Sequence, residues 1–358
     1  MTKSMGKLFW IIILAALLGG CAGKQYHFEH HATNVEMVWP KPPEQVRYRF
    51  VGFIAGETNF IEEKEKRSVI GKSFDWLGEF IFGESQPQVL FRPQGGFFDD
   101  ANKRLYVTDI GRKAVFVFDF NENKLHLWEQ ADDFNKFNAP IAVAINDKNE
   151  VFVSDSAQGF VFRFDADGHF ISKLGEGVLQ RPTGLAFNKA TKQMFVADSA
   201  AHKVYAFNEQ GKVDFVIGDR RSSKDGLFNS PTYLTIAHEK LLVVDTLNSR
   251  VQLFDLNGKW LQSFGKRGMF IGDMPRPKGV AVDSQGNIYV VESYYNHLLI
   301  FNGKGEPLMP IGGQGSKAGQ FDLPAGVWID GKDRVYVADM FNSRISVFQY
   351  LHDSSTKQ

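Results

Sequence analysis

The stretch Leu241-Leu242-Val243-Val244-Asp245-Thr246-Leu247-Asn248-Ser249-Arg250-Val251-Gln252-Leu253-Phe254 reads as two short strands joined at a polar corner. An apolar, β-branched run stops at Asp245, Asn248-Ser249 turn the chain, and residues 251–254 run back with alternating character. The pattern recurs at Val337-Ala338-Asp339 to Phe348, Val196-Ala197-Asp198 to Phe207, and Val290-Val291-Glu292 to Phe301. Looser copies are Val153-Ser154-Asp155 to Phe164 and Val107-Thr108-Asp109 to Phe118. The acid precedes the phenylalanine by nine residues in all six, and successive acids are 46, 43, 47, 47 and 47 residues apart. A strand-opening proline keeps the same beat at Pro93, Pro140, Pro182, Pro231, Pro277 and Pro324. Glycine follows two residues later in four copies, with Ala142 and Tyr233 in the others. Two markers repeating six times in phase define a repeat protein with a period near 47.

Each repeat divides into four strands separated by glycine and asparagine turns, the pattern of a propeller blade. The expected fold is all-β: a six-bladed β-propeller of four-stranded antiparallel blades spanning 46–350. The sixth repeat lacks an outer strand, and residues 46–54 form an unused strand near the N-terminus. That strand is expected to complete blade six and close the ring, because an open array would expose a raw edge. The repeated phenylalanines are expected to fill the seams between blades. One amphipathic helix is expected within 62–82, where Val69, Ile70, Phe74, Trp76, Leu77, Phe80 and Ile81 recur at helical spacing over 68–82. It would pack over the body or meet a membrane or partner.

The repeat units resemble the NHL repeat, in Pro277-Lys278-Gly279-Val280-Ala281-Val282-Asp283, in Gly286-Asn287-Ile288-Tyr289-Val290-Val291, and in Asp339-Met340-Phe341-Asn342-Ser343-Arg344-Ile345. The resemblance implies a six-bladed propeller but not one function. That family includes RNA-binding and protein-binding modules, sensor domains, and an amidating lyase with metal in its channel. The lyase's histidines have no matching positions here.

Residues 1–20 read as an export signal, with Lys3 and Lys7 before an eleven-residue apolar run too short for a permanent span. The run ends at Leu18-Gly19-Gly20-Cys21, which resembles the lipobox of bacterial lipoproteins, and Cys21 is the chain's one cysteine. The resemblance implies lipidation at Cys21 and membrane anchoring. Ala22 in place of aspartate favours the outer over the inner membrane. The plainer alternative is an ordinary secretory signal. Residues 21–45, with His27, His30, His31 and three prolines, read as a polar tether rather than a metal site, and 351–358 as a polar tail.

Lys+Arg and Asp+Glu both number 41, so bulk charge favours neither nucleic acid nor an acidic surface as partner. The acids Asp109, Asp155, Asp198, Asp245, Glu292 and Asp339 are expected to fix the corners structurally. The bases five residues on (Lys203, Arg250, Arg344) would neutralise Asp198, Asp245 and Asp339. Arg92, Arg181 and Arg276 stand just before the prolines of blades one, three and five. They would surround the channel mouth and hold a small anion, or else bind carboxylates or carbonyls of neighbouring blades. No catalytic set, metal site or cofactor is expected, since the body histidines keep no common phase and the inner strands are small and apolar. The expected function is a non-catalytic, lipid-anchored envelope scaffold that binds a protein partner. Its rival is a small-anion-binding protein, or a metal-dependent lyase or hydrolase, working at the channel mouth.

Overall fold

The computed structural model describes residues 25–32, 36–63 and 86–352. Cys21, the export segment, most of the expected helix and nearly all of the polar tail lie outside them. No described helix is long and apolar enough to cross a membrane. Four short strands come first: β1 (Tyr26–Phe28), β2 (Val38–Trp39), β3 (Tyr48–Ile54) and β4 (Phe60–Glu62). Six sheets of antiparallel neighbours follow, from Pro93 to Tyr350, each running in chain order from an inner strand at the axis to an outer edge.

The two sequence markers are one structural unit. In every blade the acid ends the second strand directly opposite the proline that opens the first: Pro93 pairs Asp109, Pro140 Asp155, Pro182 Asp198, Pro231 Asp245, Pro277 Glu292 and Pro324 Asp339. Proline suits this place because a bulge follows it and its missing N–H leaves no ladder bond unmade. Four residues past the acid, the backbone turns left-handed in all six blades, yet only Gly159 is a glycine. Lys113, His202, Ser249, Asn296 and Ser343 hold the same conformation, which the corner's hydrogen bonds impose on side chains that disfavour it.

Blade six closes as the unused strand requires. β3 lies antiparallel beside the third strand of that blade (Arg344–Tyr350), from Ile54 opposite Ile345 to Tyr48 opposite Tyr350. The junction is locked across the next seam, where the buried Tyr48 and Tyr289 hydroxyls lie 3.0 Å apart and Tyr289 donates to Asp283 at 2.8 Å.

Residues 25–45 depart from the tether reading. β2 adds a fifth strand outside β3, and β1 pairs β4. Phe28 lies edge-on to Phe60 and Phe120 at the rim between blades six and one. The buried Asn59 knots this strap, accepting from Ala55 N and Gly56 N and donating to the carbonyls of Glu29 and Phe53. Burying aromatic area and satisfying these backbone groups outweighs the freedom of a polar linker.

Six apolar clusters fill the six seams. Phe118, Phe164, Phe207, Phe254, Phe301 and Phe348 each enter a different one, the seam with the preceding blade. Full burial of each ring contributes about 1.5–3 kcal/mol.

Candidate functional site

Because strands alternate, all acid corners and all connections from an outer strand to the next inner strand share one side of the ring. We call it the corner face. Its acids are fully buried and act as staples. Asp198 accepts from Gln180 N, Arg181 N, Ala200 N and Ala201 N at 2.6–3.1 Å, joining the incoming connection to the corner. Asp109 and Asp155 do the same, and Glu292 takes N–H groups of Arg276, Tyr294 and Tyr295. In blades four and six a side-chain amide and a guanidinium replace part of this set. Asp245 meets Asn248 at 2.7 Å and Arg250 at 3.0 Å, and Asp339 meets Asn342 at 2.8 Å and Arg344 at 2.9 Å. Burial pushes both carboxyls above the ordinary aspartate value, against the pull of those donors. The expected Asp198–Lys203 pair is not formed, since four backbone donors already occupy that carboxylate.

The channel is blocked from within. Small residues two places after the prolines let the inner strands converge: a Cβ on Gly184 would meet Tyr233 Cα at 2.7 Å, and one on Gly326 would meet Gln94 O at 2.4 Å. Blade four places Tyr233 at this level, and its phenol crosses to blade one and donates to Gln94 O at 3.1 Å. Burial raises that phenol far above the usual tyrosine range. Beyond it, toward the opposite face, lies a cavity of about 280 Å³ walled by all six inner strands, chiefly by glycine, alanine and aliphatic or aromatic side chains. The sequence signal for this plug was the break in the glycine phase at position 233.

Arg92, Arg181 and Arg276 open the inner strands of alternate blades, exposed on the corner face, with their backbone N–H groups held by Asp109, Asp198 and Glu292. The Arg92 guanidinium lies over the rings of Phe91 and Phe341, at 5.3 and 5.8 Å. The side chains of Arg181 and Arg276 have no carboxylate or carbonyl partner among the described residues, so the neighbour-binding alternative is not what the geometry shows. Sequence reasoning passed over Lys278, two residues past Arg276 and half-buried at the mouth.

Exposed large apolar side chains are unevenly spread. The connection 265–276 presents Met269, Phe270 and Ile271 consecutively, at 83%, 79% and 68% exposure. Asp273 braces it by accepting from Phe270 N at 2.9 Å, and Met274 N donates to Lys266 O. Leu247, Tyr294, Phe341 and Phe91 are exposed on the same face. Among the described residues, no turn of the opposite face exposes a large apolar side chain.

Among the described residues, one group has metal-ligand spacing, Asp119, Glu122 and His126. Asp119 already holds Arg104 at 2.6 Å and His126 holds Glu122 at 3.0 Å, so an ion would have to displace a guanidinium.

Residues 274–301 match the NHL repeat model, and the fold is a six-bladed β-propeller. Protein brain tumor of Drosophila melanogaster is 28% identical over 137 residues, 36% of this chain and 13% of that protein. Among solved structures, an auxiliary nutrient binding protein from Bacteroides thetaiotaomicron superposes with a TM-score of 0.59 at 11% identity, covering 74% of this chain and 70% of that one. A virginiamycin B lyase from Staphylococcus aureus gives 0.54 at 12% identity, covering 73% and 95%. A gluconolactonase from Xanthomonas campestris gives 0.54 at 14%, covering 74% and 90%. At these identities the likeness concerns fold alone.

Proposed function

We propose that this NHL-repeat propeller is a non-catalytic docking module, held at a bacterial envelope membrane by lipid on Cys21, whose corner face binds a protein partner. The observation that carries the docking reading is the contiguous Met269-Phe270-Ile271 tip on a braced connection, among further exposed aromatic and aliphatic side chains. Three consecutive exposed apolar side chains held on a braced connection are the signature of an interaction surface. The fold neighbours include two enzymes and a nutrient-binding protein, so fold does not choose between catalysis and binding. The interior favours binding, because Tyr233 closes the axis from blade four to blade one. The cavity beyond it is lined by backbone and by mostly apolar side chains, with Lys189 its one charged side chain among the described residues.

The strap shortens the anchor. Cys21 precedes Gln25 by four residues, a reach of about 14 Å at most when extended. Lipid at Cys21 would therefore hold the body close to the bilayer. Outer-membrane location follows from Ala22 beside the lipobox and belongs to the same proposal.

The test is recovery of the full chain from detergent-solubilised envelope, as wild type and with Met269, Phe270 and Ile271 all replaced by serine. A stoichiometric partner that leaves with the triple variant supports the reading. Equal recovery with both forms contradicts it.

A further inference from the structure

We infer that the channel mouth is a carboxylate-binding cup whose anchor is Lys278, with Arg276 beside it. The inference rests on the docking reading and deepens it, because it names a chemical group that the docked partner presents.

In blades one and four the residue directly after the inner-strand proline reaches toward the corner face. In blade one the Gln94 amide reaches Met340 at the corner of blade six, and in blade four the Thr232 hydroxyl lies 2.7 Å from that of Thr246 at its own corner. Lys278 holds this place in blade five. Below it, the Tyr233 phenol spans from blade four to blade one, so the mouth is a blind cup with a polar floor rather than an open pore.

The cup's cations lack counter-ions. Elsewhere the structure pairs such groups: Arg104 with Asp119, Arg163 with Glu150, Lys173 with Asp132, Arg250 with Asp245 and Arg344 with Asp339. Lys278 and Arg276 have no carboxylate or hydrogen-bond partner for their side chains among the described residues. The nearby Glu292 is already occupied by three backbone N–H groups. Burial, and then the Arg276 charge, lowers the Lys278 ammonium below the ordinary lysine value. A half-buried ammonium beside an exposed guanidinium, without an anion, is an arrangement that an incoming oxyanion relieves. A carboxylate fits because it accepts from an ammonium and a guanidinium together. Leu247 and Tyr294, exposed at the corners of blades four and five on the same face, suit a carboxylate carried on a peptide. A free small carboxylate shares the same chemistry.

The experiment uses the full chain in detergent, labelled at lysine Cε with carbon-13, with the Lys278 signal assigned by Lys278→Met. Tetraglutamate and citrate are the two probes. The Lys278 signal should titrate below the other lysines in the free protein and move upward when a probe binds. Tetraglutamate alone acting points to a peptide source; citrate acting equally well points to a small molecule; either supports the site. Calorimetry should show binding weakened about tenfold or more by Lys278→Met and by Arg276→Gln, each checked for an unchanged melting temperature. The inference fails if neither probe binds up to about 10 mM, or if both variants bind like wild type. Phe270→Ser separates it from the docking reading, since that change should abolish partner recovery and leave the lysine titration intact.

Discussion

The two faces of this ring are built from the same kind of tight turn, repeated around the same axis, yet they end in different surfaces. On the corner face the repeated acids are buried and their oxygens are taken by backbone N–H groups, side-chain amides and arginines. Its variable connections expose Met269, Phe270 and Ile271. The opposite face turns on Asn, Asp, Gly and Lys, with side chains capping their own loops, as Asp165, Asn208 and Asp255 do. Repetition thus marks scaffold, and departures from it mark candidate function: the apolar tip before blade five, Tyr233 where glycine is the rule, and Lys278 without a counter-ion.

The staples should be the costliest to break. Asp339→Ala takes the acceptor from the Asp322 N–H and from Arg344 Nε. It leaves that largely buried guanidinium without a counter-charge, although the carbonyls of Ser316, Lys317 and Gln320 still hold it, and should lower stability by about 3–5 kcal/mol in denaturant unfolding. A loss below about 1 kcal/mol would mean the corners are not what holds the face together. The strap, on the rim and on neither face, should respond to acid. Burial first, then the charges of Arg334 and His31, lowers His30 from 6.5 to about 4, with Phe28 packed edge-on against its ring. The folded state therefore keeps His30 neutral while the unfolded chain takes up a proton. Stability falls as pH drops from 6.5 toward 4 and levels off below, by roughly 2–3 kcal/mol after allowing for partial exposure. His30→Gln should flatten that part of the pH profile. Serine at 269, 270 and 271 together should change stability by no more than about 0.5 kcal/mol while removing the partner. Gln210→Ser, on the opposite face, should change neither.

Much of this architecture is legible in the chain because its signals are local and repeated. The nine-residue step from acid to phenylalanine covers one corner and one strand, and the proline sits opposite that acid, so both recur wherever a blade does. Even closure could be read, from a blade with one strand too few and a spare strand at 46–54. The strap could not, because strands of two or three residues such as β1, β2 and β4 carry no period, and their pairing depends on aromatic packing between blades six and one. The site was half legible. The arginines lie on the corner face, as their place before the prolines requires, but whether a cation has a partner depends on how each corner and connection folds. Arg250 and Arg344 gain theirs within five residues; Arg181, Arg276 and Lys278 gain none. Tyr233 was visible as an exception, and only the ring geometry shows its phenol reaching Gln94.

The central claim is that one face docks a partner and the other does not. A photo-crosslinking amino acid placed at Phe270 or at Gln210, in the full chain expressed in its own envelope, tests it directly. The account predicts one discrete crosslinked product from position 270 and none from 210. Products of equal yield from both positions, or from 210 alone, would contradict it.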